Sequence, residues 1–407
     1  MGLLGSAWKL HLMARLFSSG FELNSLTASM EWDAAVGGTI SSSTVRSGGF
    51  SGRISSLASG TNQRFRTQFK SAGNNGPFFF RFYLRIATLP SAENRIFAVS
   101  GSATTGTSVA AYITLDNTGA LRLYDSSGSI GSASSALSTG TWYRIAVLFD
   151  RTAASGSQKV KAQINGAQFA SGTAQTISSS IFHAYFGGNL NSEAQTTGDW
   201  FFDDIAINDN TGSFQNSYPG SGKIIHLKPS AAGDANSFAV QVGGTVGSTN
   251  NYTRVNEIPP NDVTSYNGSA VLSQEDLFNC DDSGIALNDT VKLVSVGVRF
   301  ADLVSADATA AFKVELLKTS AGTKTQSGTL IPNSTTWKTN ATATPLIYPI
   351  ISYQDPDGVQ WRKATLDSMQ IGYTLTAANV QTIAVSNIWA LVEYFTPVGP
   401  GNFFNFM

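Results

Sequence analysis

The sequence predicts an all-β protein built from two antiparallel β-sandwich domains. Three observations carry this. Runs of alternating apolar and polar residues recur along most of the 407 residues. The breaks between them are filled with Gly, Asn, Asp and Ser. Helical periodicity is nearly absent after residue 17. Period-two runs bounded by turn residues at short intervals are the pattern of sandwiches and jelly rolls.

The clearest run spans Ala111 to Gly166. It reads Ala111-Tyr-Ile-Thr-Leu-Asp-Asn-Thr-Gly119, Leu121-Arg-Leu-Tyr124, Gly140-Thr-Trp-Tyr-Arg-Ile-Ala-Val-Leu-Phe-Asp150, and Lys159-Val-Lys-Ala-Gln-Ile-Asn-Gly166. Before it, Phe21-Glu-Leu23 is expected to open the first strand. Pro77 to Ile86 predicts a long strand with Phe78, Phe80, Phe82 and Leu84 on one face. Phe79, Arg81, Tyr83 and Arg85 fall on the other. Arg95–Ser100, Ile181–Phe186 and Asp199–Asn208 follow the same rule. Asn208 to Gly220 has turn chemistry throughout and marks a boundary.

Beyond it, strands are expected at Lys223–Lys228, Val291–Phe300, Phe312–Leu317 and Val385–Tyr394. Ala232 to Asn288 reads as long loops, with a single helical turn at Gln274-Glu-Asp-Leu-Phe278. The resulting organisation is an N-terminal arm at 1–17, a jelly-roll domain at 18–212, and a linker at 213–222. A second sandwich follows at 223–395, then a C-terminal tail at 396–407. Leu4, Trp8, Leu12 and Leu16 give the arm an apolar stripe at helical spacing. It is expected to dock on a neighbour or on its own domain. The start lacks a basic region and an Ala-x-Ala site, so it is not expected to be a signal peptide. The tail carries prolines and three Phe, which favour docking over exposure.

Charged residues are 13% of the chain, about half the usual share, and Lys+Arg of 26 nearly balances Asp+Glu of 27. No basic stripe points to nucleic acid, and no apolar run of about 18 residues points to membrane insertion. Near-zero charge favours association. The single Cys280 cannot form an internal disulfide and reads as a buried structural thiol.

The Trp142-Tyr143 pair followed by the Asn165-Gly166 turn resembles the concanavalin A-like, or laminin-G-like, jelly roll. The blocks Asp203–Asp209, Asn216-Ser-Tyr-Pro-Gly220 and Lys223–Asp234 are similar to bacteriophage virion structural proteins. So are Asp357-Gly-Val-Gln-Trp361, Ala364–Gly372 and Trp389–Tyr394. In those proteins a laminin-G-like domain runs into a second β-domain. The resemblance covers most of 18–395. It implies a virion location, other virion proteins of capsid or tail as partners, and a symmetric homo-oligomer such as a trimer. It implies no reaction.

The search for chemistry agrees. Jelly-roll glycanases carry Glu-x-Asp-x-x-Glu on one strand, and the nearest match, Glu31-Trp-Asp33, lacks the third acid. Asp203 and Asp204 are adjacent and so expected on opposite faces. His11, His183 and His226 show no zinc spacing. Asp281-Asp-Ser-Gly284 and Asp355-Pro-Asp-Gly358 are the acidic turns that calcium would use, and both read as plain turns. No nucleophile elbow or phosphate loop occurs. The expectation is therefore a protein with no enzymatic activity, no metal and no cofactor. Its main reading is capsid decoration or a tail appendage. The alternative is a glycan-binding adhesin, in which Tyr124, Tyr185, Tyr218 or Tyr252 stacks a host sugar; a polysaccharide hydrolase using Asp203 or Asp204 ranks below both.

Overall fold

The computed structural model describes residues 14–397. Within that range it excludes 28–29, 56–61, 72–74, 104–107, 155, 171, 173–176, 178, 192–196, 305–308, 341–344, 346 and 378–381. Two pairs of antiparallel sheets account for the named strands.

The first sheet runs Ala167–Ala170, Val160–Ile164, Trp142–Phe149, Phe78–Thr88, Asp199–Asp209, Ser51–Ser55, Thr39–Ser41. Arg15–Ser19 adds to it beside Asp199–Asp209. The second runs Ser129–Ile130, Leu121–Asp125, Val109–Leu115, Asn94–Ser100, His183–Gly188, Gln63–Gln68, Ala34–Val36. Their facing sides share one core. At its centre the buried Trp32 meets the rings of Phe17, Phe21, Phe65 and Phe186 at centroid separations of 5.1 to 5.9 Å. Phe78, Phe80, Phe82, Leu84 and Ile86 fill the core from one strand, as period-two alternation requires.

The third sheet runs Val240–Val242, Tyr266–Ser269, Ile383–Phe395, Thr290–Asp302, Lys338–Thr339. Lys223–Leu227 and Ile350–Ser352 pair onto its two long strands. The fourth runs Pro229–Asn236, Glu275–Cys280, Gln370–Ala377, Ala311–Leu317, Lys324–Gln326. They enclose a second core.

Four local expectations are corrected. Leu16 lies in a strand: Arg15–Ser19 pairs with Asp199–Asp209, so this end of the arm gains a sheet ladder. The rest of the apolar stripe, and the tail from 398, lie outside the described residues. Phe21 sits in a turn with φ 63° rather than in a strand. Gln274–Phe278 is no helical turn, because Glu275–Cys280 is paired on both sides, with Pro229–Asn236 and with Gln370–Ala377. Between 232 and 288 the chain forms further strands and a 3-10 helix, Ser248–Arg254, where long loops were expected.

The two sandwiches meet over a buried charge cluster. Glu393 is the one charged residue on the strand Ile383–Phe395, whose buried stretch is mostly apolar. Its carboxylate accepts from Arg15 and Arg81 of the first sandwich, with Lys292 at 3.4 Å. Arg15 is further fixed by Asn208 at 2.7 Å and Ser18 at 2.8 Å, and its backbone N–H donates to the Tyr353 hydroxyl at 2.9 Å. Arg81 donates to the backbone carbonyl of Asp204 at 2.9 Å. Leu23 joins Ile224, Leu293, Tyr348, Trp389 and Leu391 in an apolar cluster beside it. Gly222 leaves room for the pair, since a Cβ there would stand 2.3 Å from Arg81 Nη1 and 2.4 Å from Glu393 Oε1.

Removing one member of a buried, hydrogen-bonded charge cluster leaves the others desolvated without compensation. Glu393→Gln is expected to lower stability to denaturant by about 3–5 kcal/mol. A loss no larger than that of a surface pair, about 1 kcal/mol or less, would show the cluster is not holding the sandwiches together.

Candidate functional site

Asp203 and Asp204 do not face opposite ways. A β-bulge between Asp203 and Ala206 breaks the alternation, and Asp204 takes φ 48°. Both carboxylates are buried and reach the same loop. Asp203 accepts from the backbone N–H of Arg46 at 2.8 Å. Asp204 pairs with the Arg46 guanidinium and accepts from Ser47 Oγ at 2.5 Å and from the backbone N–H of Ile224 at 2.6 Å. The two acids thus tie the loop at 46–47 to the start of the second sandwich. Burial, then the Asp204 charge, pushes the Asp203 carboxyl well above the usual range.

Glu31 and Asp33 flank the buried Trp32 and separate. Glu31 accepts from the Phe21 backbone N–H at 3.2 Å, and burial pushes it up to about 7. Asp33 instead pairs with Arg66 at 3.2 Å. Glu22 accepts from the Gly49 backbone N–H at 3.0 Å, and burial pushes it up to about 8.

The remaining candidates carry no assembled chemistry. His183 is pushed down to about 4, by burial and then by Arg66, and His226 to about 3 by burial. Cys280 is half-buried against the second core, with burial raising its thiol. Asp282 is held by Lys363 at 2.8 Å, and Asp355 and Asp357 by Lys318 at 3.1 and 2.7 Å. No group of three or more metal-ligating side chains occurs among the described residues.

The outer side of the second sheet brings together residues far apart in the chain. The turn at Asp116–Gly119 sets a register in which Tyr112 lies opposite Tyr124. Their rings stack at 4.6 Å with an interplanar angle of 4°. Arg95 covers the other face of Tyr112, its guanidinium carbon 3.8 Å from the ring centroid. Glu93 accepts from the Tyr124 hydroxyl at 2.7 Å and from Thr114 Oγ1 at 2.6 Å. Burial, then Glu93, pushes the Tyr124 phenol up to about 12. Across the edge of the sheet, Tyr124 faces only the small, exposed Ser129. The stack therefore runs Arg95, Tyr112, Tyr124 and ends at the half-buried Tyr124, opposite Ser129, with Arg122 on the same side of the strand.

Tyr185 lies on the same side of this sheet, opposite Ala98 and Arg66, but is buried, with its hydroxyl given to the Ser102 carbonyl at 2.6 Å. Tyr218 packs on Phe79, and Tyr252 against the second core. Of the two tyrosines singled out in the sequence that lie on this sheet, Tyr185 is buried and Tyr124 is half-buried at the end of the stack.

No family model matches the sequence, and no curated protein matches it. Solved structures do show similarity. The cellulose-induced protein Cip1 is 18% identical, covering 50% of this chain and 99% of its own, with a TM-score of 0.36. A carbohydrate esterase from the Shiga toxin-encoding bacteriophage phi24B is 15% identical, covering 49% and 100%, with a TM-score of 0.35. The alginate lyase of Aplysia kurodai is 10% identical, covering 48% and 99%, with a TM-score of 0.35. These comparisons correct the expectation that the chain is not an enzyme. Structures similar to this one include an esterase and a lyase, and a fold neither implies nor excludes a function.

The buried acids set a pH dependence. Glu22 and Glu31 hold protons in the fold that the unfolded chain releases near pH 4.3. Their contribution is complete below that value and is lost as pH rises through about 7 and 8. Glu393, held low by Arg15 and Arg81 against the cost of burial, acts oppositely, with its contribution lost as pH falls below about 4.3. Stability should therefore decline between about pH 5 and pH 8, and Glu22→Gln should flatten that slope. Thermal melts showing the same slope in both proteins would contradict the assignment.

Proposed function

We propose that this protein binds glycan through the outer side of its second sheet, with Tyr124 as the stacking platform. The observation that carries the reading is the Arg95–Tyr112–Tyr124 stack, which ends on a ring face opposed only by Ser129. The apolar face of a pyranose ring fits such a surface, because the aromatic face is electron-rich and rigidly held. Glu93, Thr114 and Arg122 stand beside it to hydrogen-bond hydroxyl groups. The stack costs little to organise, since Arg95, Tyr112 and the Glu93 contact fix Tyr124 before any ligand arrives.

The setting we propose is the surface of a phage particle, where glycan binding serves attachment to the host. Its support is the resemblance of the junction at Asn216–Gly220 and of the Asp357–Tyr394 blocks to virion structural proteins. The junction residues also have a packing role: Asn208 donates to the Ser217 carbonyl at 2.8 Å, Lys292 reaches the Pro219 carbonyl, and Tyr218 rests on Phe79. Other virion proteins and further copies of this chain are the partners in this reading. Gold-labelled antibody should mark the head or tail of intact particles, and the absence of label from any particle would remove the virion setting.

On a glycan array the full chain should bind a defined sugar set. Tyr124→Ala should weaken that binding at least about tenfold, equivalent to about 1.4 kcal/mol. Ser129→Trp should block it by filling the open face while leaving Tyr124 in place. Undiminished binding by both variants would overturn the assignment of the site.

A further inference from the structure

The outer side of the first sheet is only partly covered by the second sandwich. Arg81 and Asn208 are buried under the junction. Further along the same strands, the outward side chains stay partly exposed. Tyr143 packs toward the core, so alternation turns Trp142 and Arg144 outward.

At this end one row crosses four strands. Trp142 lies opposite Arg85, Arg85 opposite Phe201, and Phe201 opposite Arg53. Arg53 and Arg85 flank Phe201, their guanidinium carbons 5.5 and 5.9 Å from its ring centroid. Phe201 is nearly covered as a result, at 5% exposed, while the Arg53 side chain is 42% exposed. The ring acts as a base that holds two guanidiniums side by side.

Arg144 is the next outward position beyond Trp142, and Lys161, opposite Leu148, and Lys159 extend the positive charge toward the far end of the same strand. Two carboxylates stand near these five cations, and both are engaged. Asp199 takes Arg53 in a two-point contact at 3.0 and 2.8 Å. Asp150 caps its own turn, accepting from the Thr152 backbone N–H at 2.9 Å and its hydroxyl at 2.5 Å. A chain of net charge −1 thus concentrates positive charge on one sheet face.

We propose that this face is a second binding site, separate from Tyr124, that takes an acidic polysaccharide. Arg53 and Arg85 are two strands apart, about 10 Å. That spacing suits a polymer with well-separated carboxylates or sulfates, which pair with guanidinium groups. A nucleic acid carries charge more densely, about one phosphate per 3.4 Å of axis on each strand. Trp142, at the end of the row, supplies a ring for the intervening sugar.

The test is binding of a fluorescent hyaluronan oligosaccharide, which carries one carboxylate per disaccharide, to the full chain at low and moderate salt. Carboxyl-reduced hyaluronan and a thymidine oligonucleotide serve as comparisons. The expected result is salt-sensitive binding of hyaluronan alone. The double variant Arg85→Gln, Arg144→Gln should weaken it at least tenfold, and Tyr124→Ala should leave it unchanged. Lys161→Glu, at a partly exposed position, gives a second reading, with a several-fold loss expected whether or not the double variant folds. No binding, equal binding of the carboxyl-reduced polymer, equal or tighter binding of the oligonucleotide, or full binding by folded variants would each overturn the proposal. Loss of hyaluronan binding in Tyr124→Ala would overturn the separateness of the two sites.

Discussion

One carboxylate governs how the two sandwiches are joined. Glu393 sits within a mostly apolar buried strand, and among the described residues Lys292 is its one charge partner from its own sandwich. Its compensation comes from Arg15 and Arg81, more than 300 residues away in the chain. Either sandwich alone would leave these charges without their partners. The ionic contact therefore specifies a particular docking geometry, which the apolar cluster around Leu23, Ile224 and Trp389 then reinforces. Hydrophobic contact without the charges would be less directional.

That docking decides which surfaces remain for recognition. It buries part of the first sheet's outer side and leaves the outer side of the second sheet away from the junction residues. Asp203 and Asp204, adjacent acids expected from the sequence on opposite faces, are both spent on the junction through Arg46, Ser47 and Ile224. Two faces keep aromatic and polar groups in reach of solvent: the side of the second sheet carrying Tyr112 and Tyr124, and the uncovered end of the first sheet carrying Trp142 and Arg144. Function in this chain is thus argued from what the junction does not consume.

The strands were readable because side-chain alternation is a local property, and Phe78 to Ile86 shows it without interruption. Where local patterning weakens, reading failed: 232–288 holds short, partly exposed strands whose stability comes from neighbours such as Gln370–Ala377. The bulge at 203–206 is set by the loop it must reach, so adjacent acids could not reveal it. Tyr124 was visible as a candidate, whereas Tyr112 and Arg95 were missed. The tyrosine pair could have been found by counting outward from the Asp116–Gly119 turn, since Leu115 opposite Leu121 puts Tyr112 opposite Tyr124. Arg95 has no such local signal, because the strand carrying it is brought alongside through a bulge. The arginine ladder around Phe201 joins strands more than 100 residues apart and has none either.

The most direct test of the glycan-binding account is a crystal structure of the full chain soaked with a sugar that it binds. The account predicts a pyranose ring against the face of Tyr124 that Ser129 leaves open, with hydroxyl contacts to Glu93, Thr114 or Arg122. A sugar seated elsewhere, with the Tyr124 face bare or covered by the chain itself, would contradict it.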